Sequence, residues 1–216
     1  MEDGGVECIQ NRDPKQNRQL LIRATLDSIA EVGMAKTTVS AIIKRAGLSR
    51  GMIHLHFGGK DKLTAAAAEF FSDEYYIEMG RQLERNSGDP VDIILATIRA
   101  DLSLVILNER SVAIWHGLRG AARHNPGISL YSDSRDKRLR NLLCDAFSEL
   151  LGDEGQNESI SVANEVTLGL LALLEGMWVD YMTHPNAFCR ETAERIIVRF
   201  LDGIIPDRFN VATIKV

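Results

Sequence analysis

The sequence has little of what marks secreted, metal-binding or membrane-spanning proteins. Its three cysteines, Cys8, Cys144 and Cys189, lie far apart and form no CxxC pair, which argues against a disulfide framework and a zinc site. We expect reduced thiols, no metal and no cofactor. No uninterrupted run of about 18 apolar residues occurs, and the polar start lacks the apolar stretch of a signal peptide. We therefore expect a cytoplasmic protein with no membrane partner and a flexible arm over residues 1–14.

Common enzyme motifs are also missing. The sequence contains no GxSxG, no HExxH and no glycine loop of the kind that holds phosphates. The nearest catalytic candidates, His116 and His124, have no obvious cysteine or serine partner. The sequence therefore predicts no catalytic residues, and an all-α enzyme is an alternative with little support.

The charge is divided unevenly along the chain. The whole protein carries a net charge of −5. Nine Lys/Arg and three Asp/Glu lie between Arg12 and Lys60, which gives this segment +6 and the rest −11. A small basic segment on an acidic body indicates that one part of the protein binds a polyanion and the rest does not.

Helical spacing of apolar residues dominates the sequence. For example, Val39, Ile42, Ile43 and Ala46 form one stripe over two turns. No β-alternation longer than a few residues and no internal repeat occurs. We predict an all-α fold of about nine helices, near residues 15–33, 38–46, 49–57, 61–86, 90–108, 110–124, 127–151, 159–183 and 189–203.

Two short predicted helices in the basic segment are typical of a helix-turn-helix. Ile43, Gly47 and Ile53 occupy the positions that pack one helix against the other, and the glycine permits a tight turn. The second helix would then present outward the residues Ser49, Arg50 and Met52. We predict that Arg50 is the main base reader, because arginine can pair bidentately with guanine.

Residues around these helices are candidates for phosphate contacts. Thr37 and Thr38 lie at a helix N-terminus, where hydroxyls and free backbone N–H groups bind anions. His54 and His56 lie further along the second helix, and Lys60 precedes the next one. The alternatives are a surface histidine at position 54 and a solvated lysine at position 60.

The segment TTVSAIIKRAGLSRGMIHLHFGGKDKL resembles the DNA-binding domain of TetR-family repressors. The similarity covers residues 16–70 without gaps. It includes a capping threonine, the AG-L-S turn, an aromatic end to the second helix, and F-x-x-K before a long helix. Three positions depart from the pattern: Ile43 replaces a usual alanine, Met52 a frequent threonine, and His54 a tyrosine that often contacts phosphate.

Later segments, IWHGLRGAARHNPG and LLALLEGMWVDYM, are similar to the BetI-like, choline-responsive branch of this family. The resemblance implies a repressor with a helix-turn-helix domain at 15–60 and an effector-binding and dimerisation domain at 61–216. It also implies a homodimer paired through helices near 159–183 and 189–203. Apolar stripes on these helices fit an antiparallel four-helix interface, although some of each stripe must serve an intramolecular core. Two-fold symmetry would require a palindromic double-stranded DNA operator.

A small-molecule effector is the further partner that the resemblance implies. A quaternary ammonium is held by aromatic faces with a carboxylate nearby. The candidate residues for such a site are Trp115, Tyr131, Glu175, Trp178 and Tyr181, and choline is the candidate ligand. The alternative is that both tryptophans simply fill the core.

Two further alternatives stay open on the sequence. The same repressor could sense a drug, a lipid-like acid or an aromatic metabolite. The chain could also be a protein-binding helical module that has lost DNA binding, in which case any DNA affinity would lack salt dependence.

Overall fold

The computed structural model is helical throughout the part of the chain that it describes. It describes residues 13–84, 88–152 and 156–209, with the backbone alone for 132–136 and 156–160. Cys8 and most of the expected N-terminal arm lie outside these ranges. Within these ranges, a short 3-10 helix at Met34–Lys36 separates the first two of nine α-helices, which are α1 Pro14–Val32, α2 Val39–Ala46, α3 Gly51–Phe57, α4 Lys60–Leu83, α5 Pro90–Asp101, α6 Glu109–Ala122, α7 Pro126–Leu151, α8 Gln156–Thr183 and α9 Arg190–Ile204.

The first three helices form the predicted N-terminal unit. Asp13 caps α1 by accepting a hydrogen bond from the Lys15 N–H. The inward face of α1 carries Leu21, Leu26 and Ile29, which are fully buried. α2 and α3 both pack on α1, so these apolar contacts hold the two short helices in place. The all-α fold with an N-terminal helix-turn-helix and a helical C-terminal domain is confirmed.

The remaining helices form the body of the protein. The long helix α4 follows the unit directly, and α7 packs against α4, α5, α6 and α8. Gly127 of α7 lies so close to α4 that a Cβ there would approach the Ala65 Cβ to 2.9 Å. Near the C-terminal end of α7, Phe147 is fully buried, and its ring centroid lies 6.5 Å from that of the buried Phe209.

The N-terminal unit is joined to the body through α6 as well as α4. A Cβ added to Gly117 of α6 would lie 2.9 Å from the Cγ2 atom of Ile29 in α1. At the start of α6, Arg110 pairs with Asp27 of α1, with Nη2 and Oδ1 2.8 Å apart. A movement of α6 would therefore be transmitted to α1 without crossing a flexible linker.

The predicted helix over residues 90–108 is shorter in the structure. α5 ends at Asp101, and residues 102–108 form successive turns. Asn108 begins α6 by accepting a hydrogen bond from the Ser111 N–H at 2.9 Å. The Arg190 guanidinium donates to the carbonyls of Leu102 and Leu107 at 3.2 and 2.8 Å. These hydrogen bonds join residues that are far apart in the sequence, so the local spacing of apolar residues does not predict where α5 ends.

The second short helix also begins later than predicted. α3 starts at Gly51, with Arg50 at its N-cap position and no side-chain hydrogen bond to the cap. The Ser49 hydroxyl therefore does not cap this helix. Only the backbone carbonyl of Ser49 takes part, accepting a hydrogen bond from the Met52 N–H at 3.1 Å.

Helices α8 and α9 expose a shared set of apolar side chains. Several residues of the predicted stripes are instead buried within the monomer, as at Leu170 and Leu201. The apolar side chains that remain exposed on the two helices are Leu168, Val179, Met182, Ile196 and Ile204. The window Ser161–Thr183 has a mean hydropathy of 1.3, long and apolar enough to cross a membrane by length and composition, and 33% of it is buried. Glu165, Glu175 and Asp180 interrupt this stretch, and in this fold the helix packs against α6, α7 and α9.

Candidate DNA-reading helix and effector cavity

The turn between α2 and α3 is fixed by a glycine in the left-handed region. Thr38 caps α2 by accepting a hydrogen bond from the Ala41 N–H at 3.2 Å. Gly47 ends that helix at φ 64°, a conformation that costs other residues more. The Leu48 N–H then returns to the Ile43 carbonyl at 3.2 Å. Ile53 and Phe57 of α3 are buried beneath this turn, so one side of α3 faces the core and the other faces solvent.

The exposed side of α3 carries the candidate base-reading group. Ser49, Arg50 and His54 are exposed, whereas Met52 is half-buried and packs partly against the core. The Arg50 side chain stands at the helix N-terminus, where the positive end of the helix dipole adds to its charge. Leu55 is 74% exposed on the same helix and was not among the predicted site residues. An apolar group at that place could contact a thymine methyl.

The residues predicted to contact DNA phosphates differ in how exposed their side chains are. The Thr37 side chain is fully buried, and its hydroxyl donates to the Gly33 carbonyl at 2.9 Å. The expectation that this hydroxyl contacts phosphate is corrected, because the hydroxyl holds the loop before α2. His56 is half-buried with its Nε2 atom enclosed. Lys60 is half-buried at the first position of α4. Lys44 and Arg45 are exposed at the end of α2, where Arg45 pairs with Glu31 of α1.

A cavity of about 270 Å³ lies in the body among α5, α6, α7 and α8. Its wall contains both tryptophans of the protein. The rings of Trp115 on α6 and Trp178 on α8 are 6.4 Å apart between centroids and inclined by 68°. The structure therefore brings together side chains that are 63 positions apart in the sequence, and their convergence is what the sequence could not show. The other lining residues are Asp101, Arg119, Leu139, Arg140, Leu168, Leu171, Ala172, Leu174 and Glu175.

A buried carboxylate fixes the orientation of one indole. The Asp101 side chain is 1% exposed. Its Oδ2 atom accepts a hydrogen bond from the Trp178 Nε1–H at 2.8 Å, and its Oδ1 atom accepts one from the Tyr75 hydroxyl at 2.7 Å. Hydrogen bonds to a charged acceptor in a buried site are stronger than neutral ones. Asp101 and Tyr75 were missed by the sequence analysis, because neither belongs to a local motif.

A second acidic group of the cavity is already paired. Glu175 accepts a hydrogen bond from Arg119, with Oε2 and Nη1 3.1 Å apart. The guanidinium carbon of Arg119 also lies 5.3 Å from the centre of the Trp115 ring, which is a cation–π distance. Arg140 also lines the cavity, and among the described residues it has no ion-pair partner.

The two predicted tyrosines lie outside this cavity. Tyr131 lines a small neighbouring void together with Trp115. Burial, followed by the nearby Glu69 carboxylate, raises the pKa of Tyr131. Tyr181 packs edge-on against Phe188, at 5.4 Å between ring centroids, and lies under the Arg190 guanidinium. Tyr181 lies only one turn from Trp178 on α8, but its ring packs toward Phe188 and Arg190 and does not line the cavity, which corrects the expectation that it belongs to the aromatic site.

His116 follows Trp115 on α6, and its pKa is shifted by its surroundings. Burial lowers the pKa of His116, Glu175 acts in the opposite direction, and Arg119 lowers it further. The imidazole is therefore held neutral over more of the pH range than a free histidine. Its Nε2 atom is buried and has no hydrogen-bond partner in the described part of the chain.

Two family models match this chain. Residues 21–67 match the model of the tetR family of bacterial regulatory proteins. Residues 90–206 match the model of the C-terminal domain of BetI-type transcriptional repressors. Together they cover the DNA-reading unit and the helices that line the cavity.

Relatives of known name are similar over nearly the full length. The chain is 31% identical over 202 residues to the HTH-type transcriptional regulator BetI of Stenotrophomonas maltophilia strain R551-3, covering 94% of this chain and 96% of the relative. It is 26% identical to the HTH-type transcriptional regulator BetI 1 of Chromohalobacter salexigens, covering 86% and 88%.

Solved structures show the same fold. A transcriptional regulator from Pseudomonas aeruginosa PAO1 superimposes with a TM-score of 0.79 at 25% identity, covering 93% of this chain and 97% of the other. A regulator from Saccharomonospora viridis, solved in complex with choline, gives a TM-score of 0.71 at 16% identity, covering 87% and 96%.

Proposed function

The chain belongs to the TetR family of bacterial transcriptional regulators, in its BetI-type branch, and we propose that it is a homodimeric repressor released from a palindromic operator by a small organic cation. Regulators of this family bind operator DNA, dimerise and bind small-molecule effectors, and they are not enzymes. The observation that carries the proposal is the cavity in which two indoles and two carboxylates converge.

For the DNA-binding part, we assign base reading to Arg50 with Ser49, Met52 and His54 beside it. Arg50 is exposed at the start of α3, and a bidentate arginine–guanine pair discriminates by roughly 1–3 kcal/mol. Thr38, Lys60 and the exposed part of His56 would contact phosphates. Thr37 would affect DNA binding only indirectly, because its hydroxyl holds the loop before α2.

For the effector, we favour choline or a related quaternary ammonium. The quaternary ammonium group has no N–H to donate, so aromatic faces and nearby carboxylates must hold it. Trp115, Trp178, Asp101 and Glu175 supply these groups around one cavity. The choline complex of the Saccharomonospora regulator supports this choice. Tyr131, beyond Trp115, would support the indole rather than contact the ligand.

For the signal, we propose that ligand in the cavity shifts α6 and the long helix α4. α6 carries Trp115 and also packs on α1 at Gly117. A ligand can weaken DNA binding only by the ratio of its affinities for the two protein forms. The cavity therefore needs a different shape in the DNA-bound form.

For the dimer, we propose pairing through α8 and α9. Their exposed apolar side chains, such as Leu168 and Ile196, form a face that an isolated monomer would leave in water. A second copy would cover it and create a four-helix interface. The two copies of α3 would then meet successive major grooves, about 34–36 Å apart.

The proposal is tested by titrating the purified protein against its own upstream intergenic DNA, with and without choline, at several salt concentrations. We expect salt-dependent binding that choline weakens. Tight binding that is indifferent to choline would overturn the cation assignment and keep the repressor. No binding at low salt would overturn the DNA-reading assignment.

A further inference from the structure

We propose that Arg119 is a resident cation that occupies the effector's place in the free protein and competes with it. This inference rests on the proposed function, because it assumes a cationic effector in the same cavity. It assigns to one residue the role of setting both the affinity and the selectivity of the site.

The geometry around Arg119 is that of a bound cation. Its guanidinium carbon is 5.3 Å from the Trp115 ring centre, and its Nη1 atom is 3.1 Å from Glu175. One aromatic face and one carboxylate are the groups that a quaternary ammonium would need. An incoming cation cannot contact this face of Trp115 and this carboxylate while the guanidinium stays between them.

The pairing is open enough to be exchanged. The side chains of Arg119 and Glu175 are 43% and 38% exposed. Exposed ion pairs contribute little, because water screens them and ordering two long side chains costs entropy. A ligand can therefore displace the guanidinium into solvent without leaving it buried and unpaired.

Charge in the cavity supports the same conclusion. Among the described residues, two arginines and two acids line the wall. Moving Arg119 into solvent takes one positive charge away from the cavity and leaves Glu175 available to an incoming cation. Arg119 also lies two positions from Gly117, which contacts α1. Displacement of Arg119 by a ligand would therefore affect α6, the helix that packs against the DNA-reading unit.

The test compares Arg119→Ala with Arg140→Ala. Both variants remove one positive charge from the cavity wall, but Arg140 contacts neither the indole nor Glu175. The probes are tetramethylammonium and guanidinium ion, each at millimolar concentration. The readout is fluorescence, since both tryptophans of the chain lie in the wall.

We expect Arg119→Ala to bind tetramethylammonium about 3- to 30-fold more tightly than the unaltered protein, the range that a freed cation–π contact allows. Arg140→Ala should gain less. Guanidinium ion should compete with the probe in Arg119→Ala and leave the fluorescence of the unaltered protein unchanged.

Three results would overturn the inference. One is equal tightening in both variants, which would mean that only net charge matters. Another is equal affinity in Arg119→Ala and the unaltered protein. The last is no cation binding by any of the proteins. In the first two cases a choline effect on operator binding would still uphold the proposed function, so the two failures are distinguishable.

Discussion

The DNA-reading unit and the body of this protein build their sites in opposite ways. The unit places most of its candidate groups on one short helix of seven residues, Gly51–Phe57, and on the residues flanking it, within a basic segment of the sequence. The body draws its cavity from four helices and encloses charged groups within an acidic region. The first arrangement presents side chains to a large polyanion. The second gathers side chains from four helices around one cavity and so couples the cavity to helix packing.

Different substitutions should therefore harm the two regions differently. A change on the reading helix should alter DNA affinity and leave folding intact, because those side chains are exposed. A change in the body should alter stability or ligand response, because its polar groups are buried and shared between helices.

Arg50→Ala should reduce operator affinity by roughly 10- to 100-fold, the loss expected for one bidentate base contact, with no change in thermal stability. Fluorescence anisotropy with labelled operator measures the affinity. Arg208→Ala is the control, because it removes the same charge from an exposed position at the far end of the chain. Equal losses in both variants would mean that α3 does not read bases.

Tyr75→Phe should lower the free energy of unfolding by about 1–3 kcal/mol, because Asp101 loses a buried hydrogen-bond donor. Chemical denaturation followed by circular dichroism measures this loss. Tyr181→Phe makes the same chemical change where the hydroxyl has no hydrogen bond in the described part of the chain, and its stability should stay within 0.5 kcal/mol, roughly the scatter of neutral substitutions. A Tyr75→Phe protein as stable as the parent would contradict the role given to Asp101.

Gly117→Ala should destabilise the protein by about 1 kcal/mol, because the new methyl group meets the fully buried Ile29 side chain. Gly120→Ala lies on the same helix with open space around its Cβ, and it should gain about 0.5 kcal/mol from better helix propensity. Thermal unfolding of the pair gives opposite shifts if α6 packs tightly on α1. Shifts of the same sign would remove the proposed connection between the body and the reading unit.

The smallest effect concerns pH. The pKa of His116 is lowered in the folded state, mainly by burial, so the unfolded chain takes up a proton first as the pH falls. Stability is then fully present above about pH 6.5, the ordinary histidine value, and declines as the pH falls toward the lowered pKa. His116→Gln should flatten this decline in melting temperature. His124→Gln, at an exposed position, should leave it unchanged, and an unaltered slope in His116→Gln would refute the assignment.

The same contrast explains what the sequence could predict. The helix-turn-helix was predictable because Thr38, Gly47 and Ile53 act through neighbours only a few positions away. Thr37 misled the analysis because its hydroxyl turns inward to Gly33, which no spacing rule indicates. The helices and turn of the N-terminal unit were therefore predictable from local spacing, whereas the inward orientation of Thr37 was not.

The cavity was only half predictable. Trp115, Glu175 and Trp178 were chosen by residue type, and the fold does bring them together. Tyr181 was chosen by the same criterion and lies elsewhere, since its position on α8 points it toward Phe188. Asp101 and Arg119 were missed because their roles arise from contacts between helices distant in the sequence.

The most direct test of the account measures choline affinity by tryptophan fluorescence in the free protein and in its operator complex. If the cavity controls the reading helix, thermodynamic linkage requires the operator to weaken choline binding by the same factor by which choline weakens operator binding. We predict that reciprocal loss. Equal choline affinity in the free and operator-bound protein would contradict the claim that the two regions are coupled.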